Sequence, residues 1–268
     1  MDLMTDHGRW EAVETFGVNC PNCGMLLYRP KTESKLTGEK MAGACINCGY
    51  KQDRTTPDHP TPDMARKARL NKCIGFYQKK SVFASDEIFL MNFTAYEAET
   101  DAQKTFKNYA LNIASRLVKN ETIHALVVGA PGVGKTHLAN AILQRVQEYS
   151  DYRKLCLFID WNEYTRRLKL GITKPDVQAS NDDLIQAIKK ADVIVIDDLG
   201  SERGSEFDRQ AADNVIRICE DKSLIVTTNL KGKDLSARYG SRNISRLSKH
   251  GQGNTFGVKG IYDHRMNQ

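Results

Sequence analysis

Residues 129–136 read GAPGVGKT, a complete glycine-rich phosphate-binding pattern. Glycine at Gly129, Gly132 and Gly134 lets successive backbone N–H groups close around phosphate oxygens, and a helix opening at the end of the loop adds its positive dipole end. In such a loop Lys135 reaches the β and γ phosphates and Thr136 ligates Mg2+ through its hydroxyl. Pro131, Val133 and His137 complete the nucleotide-binding stretch. A second stretch, VIVIDD at residues 193–198, is an apolar run ending in two adjacent acids. Alone, such an end is often a strand meeting solvent. With a phosphate loop about sixty residues upstream, Asp197 becomes the candidate Mg2+ ligand and Asp198 the candidate that orients and deprotonates an attacking water. A third stretch, LIVTTN, brings Asn229 to a strand end, where its amide could hold that water from the opposite side or serve only as turn chemistry.

Four of the seven cysteines form two matched hooks, Cys20-Pro-Asn-Cys23-Gly and Cys45-Ile-Asn-Cys48-Gly, with 21 residues between them. Each hook offers two thiolates from a tight turn, and two hooks close a tetrahedral four-cysteine Zn2+ site. Redox hooks are the competing reading, but paired copies followed by glycine suit a structural metal. Cys73, Cys156 and Cys219 stand singly and are expected to be small buried apolar residues.

The elements that must position these groups follow from the apolar pattern. From Ile123 onward, short apolar runs (IHALVV, LCLFID, VIVID, SLIVTTN) alternate with amphipathic stretches (THLANAILQRVQEY, a helix from Asn162 to Leu170, DDLIQAIKKA, FDRQAADNVIRICED). That rhythm predicts an α/β fold, a parallel sheet covered by helices on both faces. Ahead of it, Phe106, Tyr109, Ala110, Ile113 and Leu117 recur at helical spacing and predict one amphipathic helix. The run TTPDHPTPD, with three prolines in nine residues, marks a boundary. Three parts are expected: residues 1–54 as a zinc-binding unit, 55–90 as a linker with a basic segment, and 91–268 as the nucleotide-binding domain.

Hydrophobic residues make up 40% of the 268-residue chain and charged residues 27%, a globular composition rather than a disordered or fibrous one. No membrane-length apolar run occurs, and MDLMTDHGRW reads as neither an export signal nor a transit peptide, so no membrane association and a cytoplasmic location are expected. The net charge is +6, and residues 231–268 alone hold eight Lys/Arg against two Asp/Glu. A basic end of this kind is either a solvated face or a phosphate-facing one.

Taken together, GAPGVGKTHLANAI, VIVIDDLG, IVTTNL and the basic C-terminal stretch resemble the DnaC/DnaI helicase loaders and the related IstB transposition helper ATPases. The likeness covers residues 93–265. It implies an AAA+ P-loop fold with five-stranded sheet order 5-1-4-3-2 beside a small zinc-ribbon-like unit. It also implies ATP with Mg2+ as cofactors, self-assembly into a ring or spiral, and delivery of a replicative helicase hexamer onto single-stranded DNA during replication initiation. Carried over, Asn229 corresponds to the sensor-1 residue, Arg246 in ISRL to the arginine finger entering a neighbour's ATP site, and Arg265 to the sensor-2 arginine; Arg242 is the runner-up finger. Most AAA+ proteins have Glu where this chain has Asp198, one methylene shorter, which implies slow hydrolysis. The zinc unit would dock on the helicase. Single-stranded DNA is expected along Tyr164, Arg166, Arg167 and Lys169, basic groups and an aromatic on one helix. Two other functions compete: an IstB-like helper on duplex DNA, and an ATP-binding adaptor with little turnover.

Overall fold

The computed structural model describes residues 12–34, 38–53, 62–202 and 204–261. The chain divides into two compact units, Met1–Gly75 and Phe76–Gln268. Among the described residues no helix is long and apolar enough to cross a membrane.

The first unit is built on the antiparallel pair β1 (Val13–Asn19) and β2 (Leu26–Pro30), joined through the first cysteine hook. Single bridges from Ala44 to Tyr28 and Lys51 add the second hook to the same small sheet. Among the described residues its buried apolar centre is Val18, Leu27 and the thiols of Cys20 and Cys45, with Phe16, Cys23 and Tyr50 packed against it. A core this small leaves most of the folding free energy to be supplied by a metal. Helix α1 (Pro62–Lys80) begins in this unit. Pro62 and Asp63, the last two residues of the proline-rich run, open the helix instead of ending a loop. Proline is tolerated there because a first-turn N–H has no intrahelical acceptor.

The second unit is a five-stranded parallel sheet between two helical layers. After a 3-10 turn (Asp86–Leu90) come α2 (Asp101–Val118), β3 (His124–Val128), α3 (Lys135–Tyr149), β4 (Cys156–Asp160), α4 (Trp161–Gly171), α5 (Pro175–Lys190), β5 (Val193–Asp197), α6 (Glu206–Ile218), β6 (Ser223–Thr228), α7 (Gly232–Tyr239), α8 (Ser241–Ser248) and β7 (Thr255–Gly257). The strand order is β4-β5-β6-β3-β7. Counting from the phosphate-loop strand, this is the 5-1-4-3-2 order. The fifth strand has only three residues, which explains why no apolar run announces it.

Alternation along β5 shows how the sheet divides the core. Val193 and Val195 face one layer, with Ile113 and Leu117 of α2 and Leu138 and Ile142 of α3. Ile194 and Ile196 face the other, with Leu184 and Ile188 of α5 and Val215 and Ile216 of α6. Period-two side chains on a doubly covered strand produce this split, and they carry Asp197 onto the α3 side. Helix α2 starts at a capping box in which Thr100 and Gln103 satisfy each other's backbone N–H groups.

The polar run GITKPDVQASNDD is largely helical: α5 starts at Pro175 and buries Asn181, Leu184, Ala187 and Ile188. Pro at the first helical position and a stripe at i, i+3, i+6 and i+7 override the polar composition.

Candidate functional site

Strand β3 ends at Val128, and residues 129–134 form the turn into α3. Gly134 holds φ +87, a left-handed conformation that L side chains rarely adopt, and so delivers Lys135 at the first helical position. A side chain on Gly129 would meet Val258 at 2.8 Å, so the loop stays pressed against the chain beyond β7. Val133 is buried, whereas Ala130 and Pro131 are exposed at the rim.

Two hydrogen-bonded chains converge at this turn. In the first, the Lys135 ammonium donates to the carbonyls of Gly129 (2.9 Å) and Ala130 (2.7 Å) and to Asn229 Oδ1 (2.6 Å). Asn229 Nδ2 in turn donates to Asp198 Oδ1 (3.0 Å). In the second, Thr136 Oγ1 donates to Asp197 Oδ2 (2.8 Å), and Thr227 Oγ1 donates to Asp197 Oδ1 (2.6 Å) while accepting from the Asp198 backbone N–H (2.8 Å). The phosphate loop, the two strand-end acids and the strand-end amide thus meet at the carboxyl ends of adjacent parallel strands, where an open α/β sheet presents its ligand crevice.

Asp197 is fully enclosed. Burial raises its pKa from the ordinary 3.8 to about 6, against the opposing hydrogen bonds from Thr227 and Thr136 and with a further push from the neighbouring carboxylates Asp160 and Asp198. A carboxyl destabilised in this way gains from a cation. The Thr136 and Asp197 oxygens, 2.8 Å apart, match adjacent corners of a Mg2+ octahedron with bonds of about 2.1 Å. The residues therefore fit Mg2+. Asp198 sits at φ +56, a strained conformation for a non-glycine residue, which turns its side chain out of the strand and towards Asn229.

Two contributions went unread in the sequence. Asp160 ends β4 directly beside Asp197 in the strand register and caps α4 by accepting from the Glu163 N–H (2.8 Å). Its pKa is raised, first by burial and also by Asp198. The shared ending of LCLFID and VIVID carried the signal. Glu202, almost wholly buried, accepts from the Gly200 N–H (3.1 Å) and from the Tyr239 hydroxyl (2.5 Å), fastening the turn after Asp198 to α7. That contact spans 37 residues and left no local trace.

Other expected site residues lie in different surroundings. His137 flanks the loop, its Nε2 at 2.8 Å from the Asn92 carbonyl. Arg246 is held within its own chain: its side chain is 10% exposed and pairs with Asp213 (2.7 Å), Glu220 (3.5 Å) and Asn243 (3.2 Å). Arg242 is exposed. Arg265 lies outside the described residues. The DNA face expected on α4 needs correction. Tyr164 is 1% exposed, packed beside Trp161, and has no ring face for a base. Arg166 pairs with Glu163 (2.7 Å), Arg167 with the Ser180 hydroxyl (2.7 Å) and Lys169 with buried Asp208 (2.6 Å). The aromatic in this helix is a core residue, and the cations beside it are engaged by neighbouring side chains.

In the first unit the four expected thiols come together. One sulfur from each of Cys20, Cys23, Cys45 and Cys48 lies within 4.8 Å of the other three. The Cys20–Cys48 and Cys23–Cys45 sulfurs are 3.4 Å apart, close to the edge of about 3.8 Å that Zn–S bonds of about 2.3 Å require. The hooks are near copies of each other: Cys20 N–H reaches the Met25 carbonyl (2.6 Å) and Cys45 N–H the Tyr50 carbonyl (2.7 Å), with Gly24 and Gly49 both at φ +75. Burial pushes the Cys20 thiol up to about 12. At Cys23 burial opposes ionisation, but hydrogen bonds from the Met25 backbone and from Asn47, Cys45 and Cys48 outweigh it and bring the pKa to about 7. The donor set fits Zn2+.

The family described as IstB-like ATP binding protein matches residues 91–246. Among curated proteins, none matches the chain by sequence. The second unit is similar to the crystal structure of the DnaC helicase loader, with 27% identity and TM-score 0.54 over 65% of this chain and 100% of that one. It also has the fold of DnaI (20% identity, TM-score 0.51, 68% of this chain and 94% of that one) and of domain III of the replication initiation protein DnaA from Thermotoga maritima (16% identity, TM-score 0.51, 66% and 69%). With the family's signature spanning more than half the chain, over a phosphate loop and strand-end acids in AAA+ sheet order, this protein belongs to the IstB-like ATP-binding family.

Proposed function

We propose that the chain is an ATP-dependent loader that delivers a replicative helicase hexamer onto single-stranded DNA. The observation that carries this reading is the hydrogen-bonded line from Lys135 through Asn229 to Asp198, in a chain 27% identical to the DnaC helicase loader. In this reading Gly129, Gly132 and Gly134 shape the phosphate cradle, Lys135 neutralises the phosphates, and Thr136 and Asp197 would hold Mg2+, which would supply further charge neutralisation there. Asn229, bonded at once to Lys135 and Asp198, passes the arrival of a phosphate to the water-orienting carboxylate. A phosphate that draws Lys135 away frees the amide oxygen, and Asp198 is then released to take a proton from water. Its short side chain makes that step slow, so ATP acts mainly as an assembly switch.

Residues 1–54 would be the zinc unit that docks on the helicase, 55–90 the connector, and 91–268 the ATPase, although Tyr77, Val82 and Ile88 also contribute to the second unit's core. Arg246, freed from Asp213 and Glu220, would enter a neighbour's site as chains assemble side by side, with Arg265 acting on the γ phosphate in cis. The test is co-precipitation of a replicative helicase by the full chain. Binding should survive Lys135→Ala and be lost in Cys20→Ser; retention in the cysteine variant removes the docking role.

The family match favours a second reading, an IstB-like helper acting on duplex DNA. Turnover stimulated by duplex and not by single strands, with no helicase retained, would select it. An adaptor without turnover would show nucleotide binding and no hydrolysis under any DNA.

A further inference from the structure

Asp198 holds its carboxylate on a backbone at φ +56, a conformation that persists only where the neighbours impose it. Strand β6 restrains it from one side. Thr227 Oγ1 accepts from the Asp198 N–H (2.8 Å), the Thr227 carbonyl accepts from the Leu199 N–H (2.9 Å), and Thr228 Oγ1 donates to the Leu199 carbonyl (2.6 Å). The Asp198 carbonyl then accepts from the Ser201 N–H (3.1 Å) and closes a tight turn through Leu199 and Gly200.

Helix α7 restrains the turn from the other side. Both backbone polar groups of Gly200 are taken by one ion pair: its N–H donates to Glu202 Oε2 (3.1 Å), and its carbonyl accepts from the Arg238 guanidinium. That guanidinium lies 3.7 Å from Glu202 Oε1 and also donates to the Glu202 carbonyl (3.2 Å), while the Tyr239 hydroxyl donates to Glu202 Oε1 (2.5 Å). Gly200 stands at φ +101, and a Cβ there would lie 2.5 Å from Leu230, so the turn is seated closely on the chain leaving β6.

The Glu202 side chain is 2% exposed. Stability alone does not call for a charge in that place, since apolar side chains of similar volume often replace a buried ion pair without loss. An apolar side chain does not, however, hold the Gly200 N–H while drawing a guanidinium onto the Gly200 carbonyl. The lever is short. Gly200 follows Asp198 by two positions, Asp198 Oδ1 accepts from Asn229 (3.0 Å), and a reacting group misplaced by about 1 Å loses much of its effect.

We propose that Glu202 is a positioning residue for hydrolysis: by holding the Gly200 N–H it fixes the direction in which Asp198 presents its carboxylate, and it anchors that direction on α7. Glu202 acts through Gly200 and not on the nucleotide. The inference rests on the reading of Asp198 as the group that takes a proton from water.

Phosphate release and equilibrium ATP titration of the full chain with Mg2+ present, beside thermal melts, test it in three variants. Glu202→Ala should lower kcat about tenfold and leave the ATP Kd within about twofold, because the phosphate loop is untouched. Glu202→Gln should recover most of the lost turnover, since its amide oxygen still reaches the Gly200 N–H. Glu202→Asp keeps the charge but falls a methylene short of that bond, and should stay as slow as the alanine variant. A purely structural role would instead lower the melting temperature and weaken ATP binding in step with turnover. Unchanged kcat in Glu202→Ala, ATP affinity lost in proportion to turnover, or a Glu202→Asp chain faster than Glu202→Gln each overturns the proposal; if the alanine variant does not fold, the Gln and Asp comparison decides. A wild-type chain that binds ATP and releases no phosphate at any protein concentration removes the hydrolytic reading itself, and this inference with it. Wild-type turnover matched by all three variants removes only the role of Glu202.

Discussion

Asp197 is a carboxyl held away from solvent by the fold, and its titration gives a signed prediction. Its folded pKa of about 6 lies above the ordinary 3.8, so between pH 4 and 6 the unfolded chain has released a proton that the folded chain still holds. Stability of the metal-free chain therefore falls as pH rises through that window, by about 3 kcal/mol in all, and is level above it. Asp197→Asn should flatten this slope and raise the melting temperature at pH 7.5 while leaving it unchanged near pH 4. Thermal melts across that range in chelator would show it, and a parallel slope in the variant would refute the assignment. The same substitution should abolish Mg2+-dependent nucleotide binding, the trade expected where a strained site is kept for its chemistry. At Asp198, replacement by Asn should leave ATP affinity within about twofold and remove turnover, because binding is carried by the cradle and hydrolysis by the carboxylate. The equilibrium titration and phosphate release, measured on one preparation, separate the two effects.

Caps and hooks decide stability at the scale of the element. Thr100→Ala removes the side-chain acceptor for the Gln103 N–H and should cost the second unit about 1 kcal/mol, read as a shift in its denaturant midpoint. The first unit has no comparable reserve, because its apolar centre is a few side chains wrapped around four sulfurs. Metal removal by a strong chelator should unfold it selectively, with proteolysis confined to the first unit and the second unit's transition unmoved; a chelated chain still resistant there would contradict a structural metal. The cysteine spacing was readable because a metal site is local chemistry at fixed intervals. The helical state of residues 175–183 was not, because their polar composition suits solvent and only the packing of Asn181 and Leu184 shows that the segment has a buried side.

Across the whole molecule, the proposed arginine finger Arg246 would be a group kept silent in a single chain. Its guanidinium is engaged by Asp213 and Glu220, so in the proposed reading assembly would exchange those partners for a neighbour's phosphates. Arg246→Ala should eliminate turnover in the homo-assembly with ATP binding intact, and Asp213→Asn should raise turnover severalfold by loosening the cis pair. Phosphate release measured against protein concentration tests both, and an Arg246→Ala chain that hydrolyses normally would exclude the arginine from the site. The two ion pairs join α8 to residues of α6 and of the turn that follows it, 33 and 26 positions earlier in the chain, which is why composition could not distinguish Arg246 from Arg242.

What the sequence determined by itself was whatever depends on short-range pattern: the phosphate loop, the acids ending β5, the amide ending β6, the paired cysteine hooks and four of the five strands. Each loop, strand end or single hook is a contiguous run of about ten residues or fewer, and the two hooks are matched by repeating one short pattern. The tertiary structure alone decided the rest. It placed Asp160 beside Asp197, bonded Asn229 to both Lys135 and Asp198, buried Tyr164 in the core and Tyr96 over Gly134, and supplied a three-residue fifth strand too short to signal itself. These are relations between chain segments brought together by the parallel sheet and its crossovers, and a linear pattern holds no distance between residues that only folding makes neighbours.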